Sequence, residues 1–263
     1  MPLPLVTEMP EPQYVMSPDG IRIATYSWGD EDQPTVIAVH GFASSAKDNW
    51  AATGWVRDLQ SAGLRVIAID QRGHGASEKP TEATAYRMGA LVADVATVID
   101  TYTLEQVRYL GYSLGARVGW HVLKTLREDE VERAVLGGIP DGKPLGRLDL
   151  DQARAYADHG VEVTDPVTRN YVTLADRVPG NEIRALVALA EGMRFDHADP
   201  DLGAPPHQPL LIAAGSEDRI LEDARGIADR TPGAGFLEIP KRHHFNAPGA
   251  RPFREAGVAF LAA

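Results

Sequence analysis

Val107-Arg108-Tyr109-Leu110-Gly111-Tyr112-Ser113-Leu114-Gly115-Ala116-Arg117-Val118-Gly119 is the stretch on which the fold turns. Val107–Leu110 is a short apolar run of the kind that forms a buried strand. Gly111 to Gly115 then spell Gly-x-Ser-x-Gly, and Leu114–Leu126 reads as a helix whose first turns are rich in small residues. Strand, sharp turn and helix in that order lift a serine hydroxyl above the end of a sheet. The two glycines answer a crowding problem, because side chains two residues before and after the serine would collide with neighbouring backbone. A helix starting at this point also directs free N–H groups and its positive dipole end at the hydroxyl.

Working outward, the chain alternates strands and helices. Gln13–Met16 and Ile21–Trp28 read as an antiparallel hairpin turned at Pro18-Asp19-Gly20. Thr35–Val39, Arg65–Ile69, Val107–Leu110, Arg133–Leu136, Leu210–Ala214 and Gly235–Ile239 are runs suited to parallel strands covered on both faces. Between them, Trp50–Ala62, Leu114–Leu126 and Arg254–Leu261 read as helices. Met88, Leu91, Val92, Val95 and Ile99 paint one face of a further one. The fold class expected is α/β, a mostly parallel central sheet with helices on both faces. Residues 141–206 break the rhythm. They offer short polar helical stretches (Asp151–Asp158, Asn181–Gly192) and a Pro/Asp/Gly-rich exit, with no convincing strand. The expected organisation is therefore a core of residues 1–140 and 207–263 interrupted by a helical cap insertion at 141–206.

A serine hydroxyl is a weak nucleophile until a base takes its proton. Of eight histidines, the pair His243-His244 has the strongest setting, in the loop between the last strand and the closing helix. Being adjacent, only one of them can face Ser113. The base needs an anionic partner. Asp218 follows the buried run Leu210–Ala214, and Asp141, after Val131–Pro140, is the alternative. Glu217 reads as solvated. A tetrahedral oxyanion needs two preorganised donors. The Leu114 N–H is one, and Phe42, after Val36-Ile37-Ala38-Val39-His40-Gly41, is the choice for the other. His40 and His74 are expected to tie loop backbone together rather than to catalyse.

His40-Gly41-Phe42, Asp70-Gln71-Arg72-Gly73-His74-Gly75, Gly111–Gly115, Gly215–Asp218 and His243-His244-Phe245 stand in one order along the chain. Together they resemble the α/β-hydrolase superfamily and, within it, the small-capped serine esterase and lipase-like branch, over nearly the whole chain from Ile21 to Leu261. The resemblance implies the order Ser113, Asp218, His244 for a catalytic triad, and it favours His244 over His243 through the His-Phe pattern. The chain departs from the family at Lys241-Arg242-His243, where a small glycine often precedes the histidine. The implied activity is hydrolysis of a carboxylic ester or lactone through an acyl-enzyme. Carbon–carbon bond hydrolysis or cofactor-free perhydrolysis on the same triad is the alternative, and a non-catalytic ligand-binding receptor is a third reading. A serine at position 113 argues against relatives that use aspartate there, such as epoxide hydrolases and haloalkane dehalogenases. No cofactor is expected.

Composition narrows the rest. With 44% hydrophobic and 24% charged residues, the 263-residue chain can bury a sizeable core. A net charge of −11 disfavours nucleic acid and anionic membranes. The absence of cysteine excludes disulfides, thiolate metal sites and a cysteine nucleophile. The first residues lack the basic start and long apolar run of a secretory signal, and no segment reaches the length of a membrane span. The expected setting is cytoplasmic, as a monomer or homodimer acting on a small-molecule ester or lactone. Asp196, His197, Asp199 and Asp201 cluster, and they read as a polar exit from the insertion rather than a metal site. Tyr112, Tyr171, Met193 and Phe195 are the expected pocket walls.

Overall fold

Strands β3 (Thr35–Val39) and β4 (Arg65–Ile69) are buried at every residue. Because strand side chains alternate between faces, Ile37, Val39, Ile67 and Ile69 enter one core, and Val36, Ala38, Val66 and Ala68 enter another. A sheet with two apolar faces must be covered on both, and helices do so. This computed structural model describes residues 9–142, 145–196 and 202–263. The other strands are β1 (Gln13–Met16), β2 (Arg22–Trp28), β5 (Val107–Tyr112), β6 (Val131–Gly137), β7 (Leu210–Gly215) and β8 (Gly235–Ile239). They form one sheet in the order β1-β2-β4-β3-β5-β6-β7-β8. β1 and β2 run antiparallel as the expected hairpin, and β2 pairs antiparallel with β4. All the remaining pairs are parallel.

Helices α2 (Met88–Thr101), α3 (Leu114–Thr125) and α7 (Leu221–Asp229) bury their apolar sides in the first core. Helices α1 (Trp55–Ser61) and α8 (Arg251–Ala262) fill the second with Trp55, Val56, Leu59, Phe253 and Leu261. The single helix expected over Trp50–Ala62 is instead two pieces. A π-helical turn at Lys47–Ala51 is followed by α1, and they are broken at Gly54, whose φ of 94° is left-handed. The closing helix starts at Arg251, three residues earlier than expected, with Pro252 in its first turn, where a missing N–H costs nothing.

Between β6 and β7 the described residues hold α4 (Leu150–His159), α5 (Pro166–Arg177) and α6 (Ile183–Phe195), and no strand. Helix α5 lies outside both helical stretches read from the sequence. Its signal was present: Asp165 accepts the Thr168 N–H as N-cap and Pro166 occupies the first turn. The insertion is packed onto the first core, which Leu186, Ala188, Leu189, Ala190 and Met193 of α6 join.

Strand order locates the crevice. From β3 the chain moves to β4 on one side and then to β5 on the other. In a parallel sheet the loops leaving such a pair of strands diverge, and the gap beyond their carboxyl ends is where ligands bind. Phe42 follows β3, and Ser113 follows β5.

Candidate active site

Ser113 sits between β5 and α3 at φ 53°, ψ −113°. This left-handed-side backbone is costly for a residue with a Cβ. Packing holds it there. A Cβ on Gly111 would lie 2.5 Å from the Gly115 carbonyl oxygen, and one on Gly115 would lie 2.1 Å from that of Val39. The Ser113 N–H is tied to the Gly137 carbonyl, 2.8 Å away. The crowding inferred from the glycine spacing is thus backbone against backbone, with α3 pressed on β3.

His244 lies in the loop after β8. Its Nε2 is 2.8 Å from Ser113 Oγ, and its Nδ1 is 2.8 Å from Asp218 Oδ2. The carboxylate accepts at Nδ1, so that nitrogen carries the proton and Nε2 is free to accept from the serine hydroxyl. The Asp218 side chain is only 3% exposed. Its Oδ1 accepts the Ile220 N–H at 3.2 Å, which fixes the carboxylate on the turn that opens α7. Asp141 goes elsewhere, paired with Arg230 at 2.9 Å. His243 is exposed, and its Nδ1 faces the Phe245 N–H at 3.3 Å within the same loop. The residues that depart from the family pattern are accommodated by backbone. Lys241 takes φ 56°, and its N–H donates to Ser216 Oγ at 2.8 Å.

On the other side of Ser113 the loop after β3 is held by buried polar groups. His40 Nε2 accepts the Gln71 N–H at 3.1 Å, so its Nδ1 carries the proton and donates to the Gly41 carbonyl at 2.7 Å. His74 works the same way, accepting the Ala43 N–H at 3.0 Å and donating to the Arg72 carbonyl at 3.1 Å. Burial holds both below the usual histidine range, His74 well below it with the neighbouring His40 adding to the effect. Both rings are therefore neutral at pH 7, and their nitrogens are spent on backbone. The Asp70 carboxylate accepts the Ala46 and Ala76 N–H groups at 2.7 and 2.9 Å. Its bracing of two loops leaves no room for a Cβ on Gly75, which would lie 2.0 Å from Asp70 Oδ2. The N–H groups of Phe42 and Leu114 find no acceptor among the described residues.

Of the expected pocket walls, Tyr171 on α5 lines a cleft of about 430 Å³ together with Ser113, Leu114, Asp218 and His244. Its ring lies edge-on to Phe42 and to Phe245, with centroids 5.3 and 5.4 Å apart. Burial and the nearby Asp218 charge raise its hydroxyl pKa to about 12. Tyr112 lies beneath the site rather than along the cleft. It is buried, and its hydroxyl donates to the His244 carbonyl at 2.7 Å. Met193 is buried in the first core and does not line the cleft. Phe195 ends α6, and its side chain lies outside the described residues. In the acidic cluster, Asp196 accepts the Met88 N–H at 2.7 Å at the start of α2; His197, Asp199 and Asp201 lie outside the described residues. Among the described residues no group of carboxylates and histidines has metal-site geometry, and no helix is long and apolar enough to cross a membrane.

The sequence reading missed much of the cleft lining, including Arg117 on α3, the 145–148 turn, Pro166, Val167 and Asn170 on α5, and Phe245. Phe245 alone had a local signal, as the neighbour of His244. It also missed Asn181, which accepts the Gly75 N–H at 2.9 Å and donates to the Ala43 carbonyl at 3.2 Å. That residue ties the insertion to both loops beside Ser113.

The family model described as alpha/beta hydrolase fold matches residues 34–165, half of the chain. The chain belongs to that family. Among curated relatives, this α/β-hydrolase chain is 34% identical over 125 residues to the AB hydrolase superfamily protein YfhM of Bacillus subtilis, covering 46% of the chain and 41% of that protein. It is 38% identical over 149 residues to epoxide hydrolase B of Mycobacterium tuberculosis, covering 52% of the chain and 38% of that protein. The chain thus spans about four tenths of the length of the curated relatives it matches. Among solved structures, the enol-lactonase from Burkholderia xenovorans LB400 superposes with a TM-score of 0.77 at 20% identity, over 95% of this chain and all of that one (100%). At that identity the likeness is one of α/β-hydrolase fold.

Proposed function

We propose that this α/β-hydrolase is a serine hydrolase that cleaves a carboxylic ester or lactone through an acyl-enzyme. The observation that carries the reading is the unbroken chain Asp218–His244–Ser113, with both links at 2.8 Å. Ser113 Oγ attacks the carbonyl carbon while His244 Nε2 takes its proton, and Asp218 holds the tautomer and stabilises the imidazolium. The N–H groups of Phe42 and Leu114 receive the oxyanion. His244 then gives the proton to the leaving alkoxide, and water repeats the sequence on the acyl-serine. The insertion acts as the cap over this cleft, with Tyr171 of α5 among its contacts to the site.

The serine also bears on the epoxide hydrolases among the relatives. Opening an epoxide with a serine oxygen would leave an ether. An ether has no carbonyl for water to attack, so turnover would stop after one event. An ester or lactone returns the free serine, and the solved enol-lactonase of the same fold acts on a lactone.

The test is a fluorophosphonate probe followed by mass spectrometry, with a screen of aryl esters, lactones and peracid formation beside it. A stoichiometric adduct on Ser113, lost in His244→Ala, together with ester or lactone turnover, is the expected result. An unlabelled Ser113, or full esterase activity in Ser113→Ala, refutes the proposal.

A further inference from the structure

The cleft over Ser113 has two walls of different chemistry. The segment after β7 and the first turn of α7 contribute Glu217, Arg219 and Asp223, and Asp218 is bound to His244. The insertion contributes Tyr171 and the exposed Arg147, together with Leu145, Leu148, Pro166 and Val167. Among the described residues Arg147 has no carboxylate partner and the Tyr171 hydroxyl has no hydrogen-bond partner.

The Arg147 segment is anchored. The Arg194 guanidinium on α6 donates to the Leu145 carbonyl at 2.7 Å and also to the Leu148 carbonyl, pinning both ends of the turn. Tyr171 is fixed between Phe42 and Phe245. The Arg147 charge reaches the Tyr171 hydroxyl and favours its ionised form, against the effect of burial and Asp218. A cation and a neutral hydroxyl donor, both contributed by the insertion, therefore line one cleft.

We propose that Arg147 and Tyr171 form a subsite for a carboxylate on the substrate, at the end remote from the scissile carbonyl. The substrate class is then esters or lactones that carry a carboxylate, a narrowing that rests on the reading of Ser113 as their nucleophile. The guanidinium supplies charge and paired donors, and the phenol adds a charge-assisted hydrogen bond.

The test compares 4-nitrophenyl hydrogen adipate with 4-nitrophenyl methyl adipate, which differ only in the terminal charge. The acid is expected to have the higher kcat/KM. The acid-to-ester ratio should fall about fivefold in Arg147→Gln, the scale of an exposed ion pair, and about tenfold in Tyr171→Phe, which keeps the ring stacking and loses the donor. Arg127→Gln, remote from the cleft, should leave the ratio unchanged. Equal rates for the two esters, or a ratio insensitive to Arg147 and Tyr171, overturns the subsite. Binding of the same two esters to Ser113→Ala protein separates the two claims. Equal Kd values refute the subsite even where the enzyme turns both over. A preference for the acid that persists with no turnover by the Ser113 enzyme refutes the hydrolase reading and leaves the subsite standing.

Discussion

Replacing Gly115 by alanine puts a methyl carbon 2.1 Å from the Val39 carbonyl oxygen and 2.6 Å from that of His40. Ordinary contact needs about 3.5 Å, so something must yield by roughly 1 Å or more. The strand cannot be what yields, since β3 is hydrogen-bonded to β4 on one side and β5 on the other. The start of α3 must lift instead, and it carries the Leu114 N–H and the Ser113 backbone. A shift of about 1 Å at reacting groups costs on the order of 100-fold in rate. Overpacking of this kind costs about 1–3 kcal/mol, which for a chain of this size lowers Tm by roughly 3–10 °C. The assay is kcat/KM for 4-nitrophenyl acetate beside the fluorophosphonate labelling rate, with a melting curve by circular dichroism. A Gly115→Ala protein that labels and turns over at the wild-type rate and melts at the wild-type temperature would refute the claim that close approach of α3 to β3 sets the nucleophile.

Asp218→Asn should keep the fold and lower kcat by about 10³–10⁴-fold, because the amide no longer fixes the His244 tautomer; a loss under about tenfold counts against the triad. Arg72, fully buried, holds Asp94 through two bonds of 2.7 Å, so Arg72→Met should cost about 3–5 kcal/mol by stranding a buried carboxylate. A urea midpoint close to wild type would show that the pair is dispensable. Hydrogen bonds from Arg72 lower the Asp19 pKa from 3.8 to about 2. A carboxylate depressed in the folded state binds more protons unfolded, so its contribution is present above pH 3.8 and fades as the pH falls towards 2. The stability gap between wild type and Asp19→Asn should therefore be larger at pH 7 than at pH 3 in denaturant titrations; a gap that widens at pH 3 contradicts the assignment.

The strands were legible because parallel strands covered on both faces are written as continuous apolar runs. Thr35–Val39, Arg65–Ile69 and Gly235–Ile239 have the same limits in the sequence reading and in the sheet. The residues brought to Ser113 were legible for a related reason, since each stands just past such a run, where a strand delivers it to one end of the sheet. The insertion was harder to read. Helix α5 buries Thr168, Val172 and Ala175, a stripe too small and polar to register as an apolar face. Met193 drew attention as a pocket residue, although its spacing from Leu189 and Ala190 marks the same helical stripe that enters the core. Contacts between segments distant in the chain, such as Tyr171 with Phe42 and Asn181 with Gly75 and Ala43, leave no pattern in either segment alone.

Arg72 has a consequence for anyone trimming this protein. Its guanidinium also reaches Asp19 at 2.7 Å, in the turn of the opening hairpin, and the Ala85 carbonyl at 2.6 Å. The Arg72 carbonyl accepts from His74, whose other nitrogen holds Ala43 beside Phe42. Deleting the hairpin would thus remove a counterion from the segment that shapes the site, although the hairpin itself lies at the far edge of the sheet. Fusion joints and circular permutants should keep it, and a truncated variant that loses activity while remaining folded would mark the hairpin as a remote support of the loop beside Ser113.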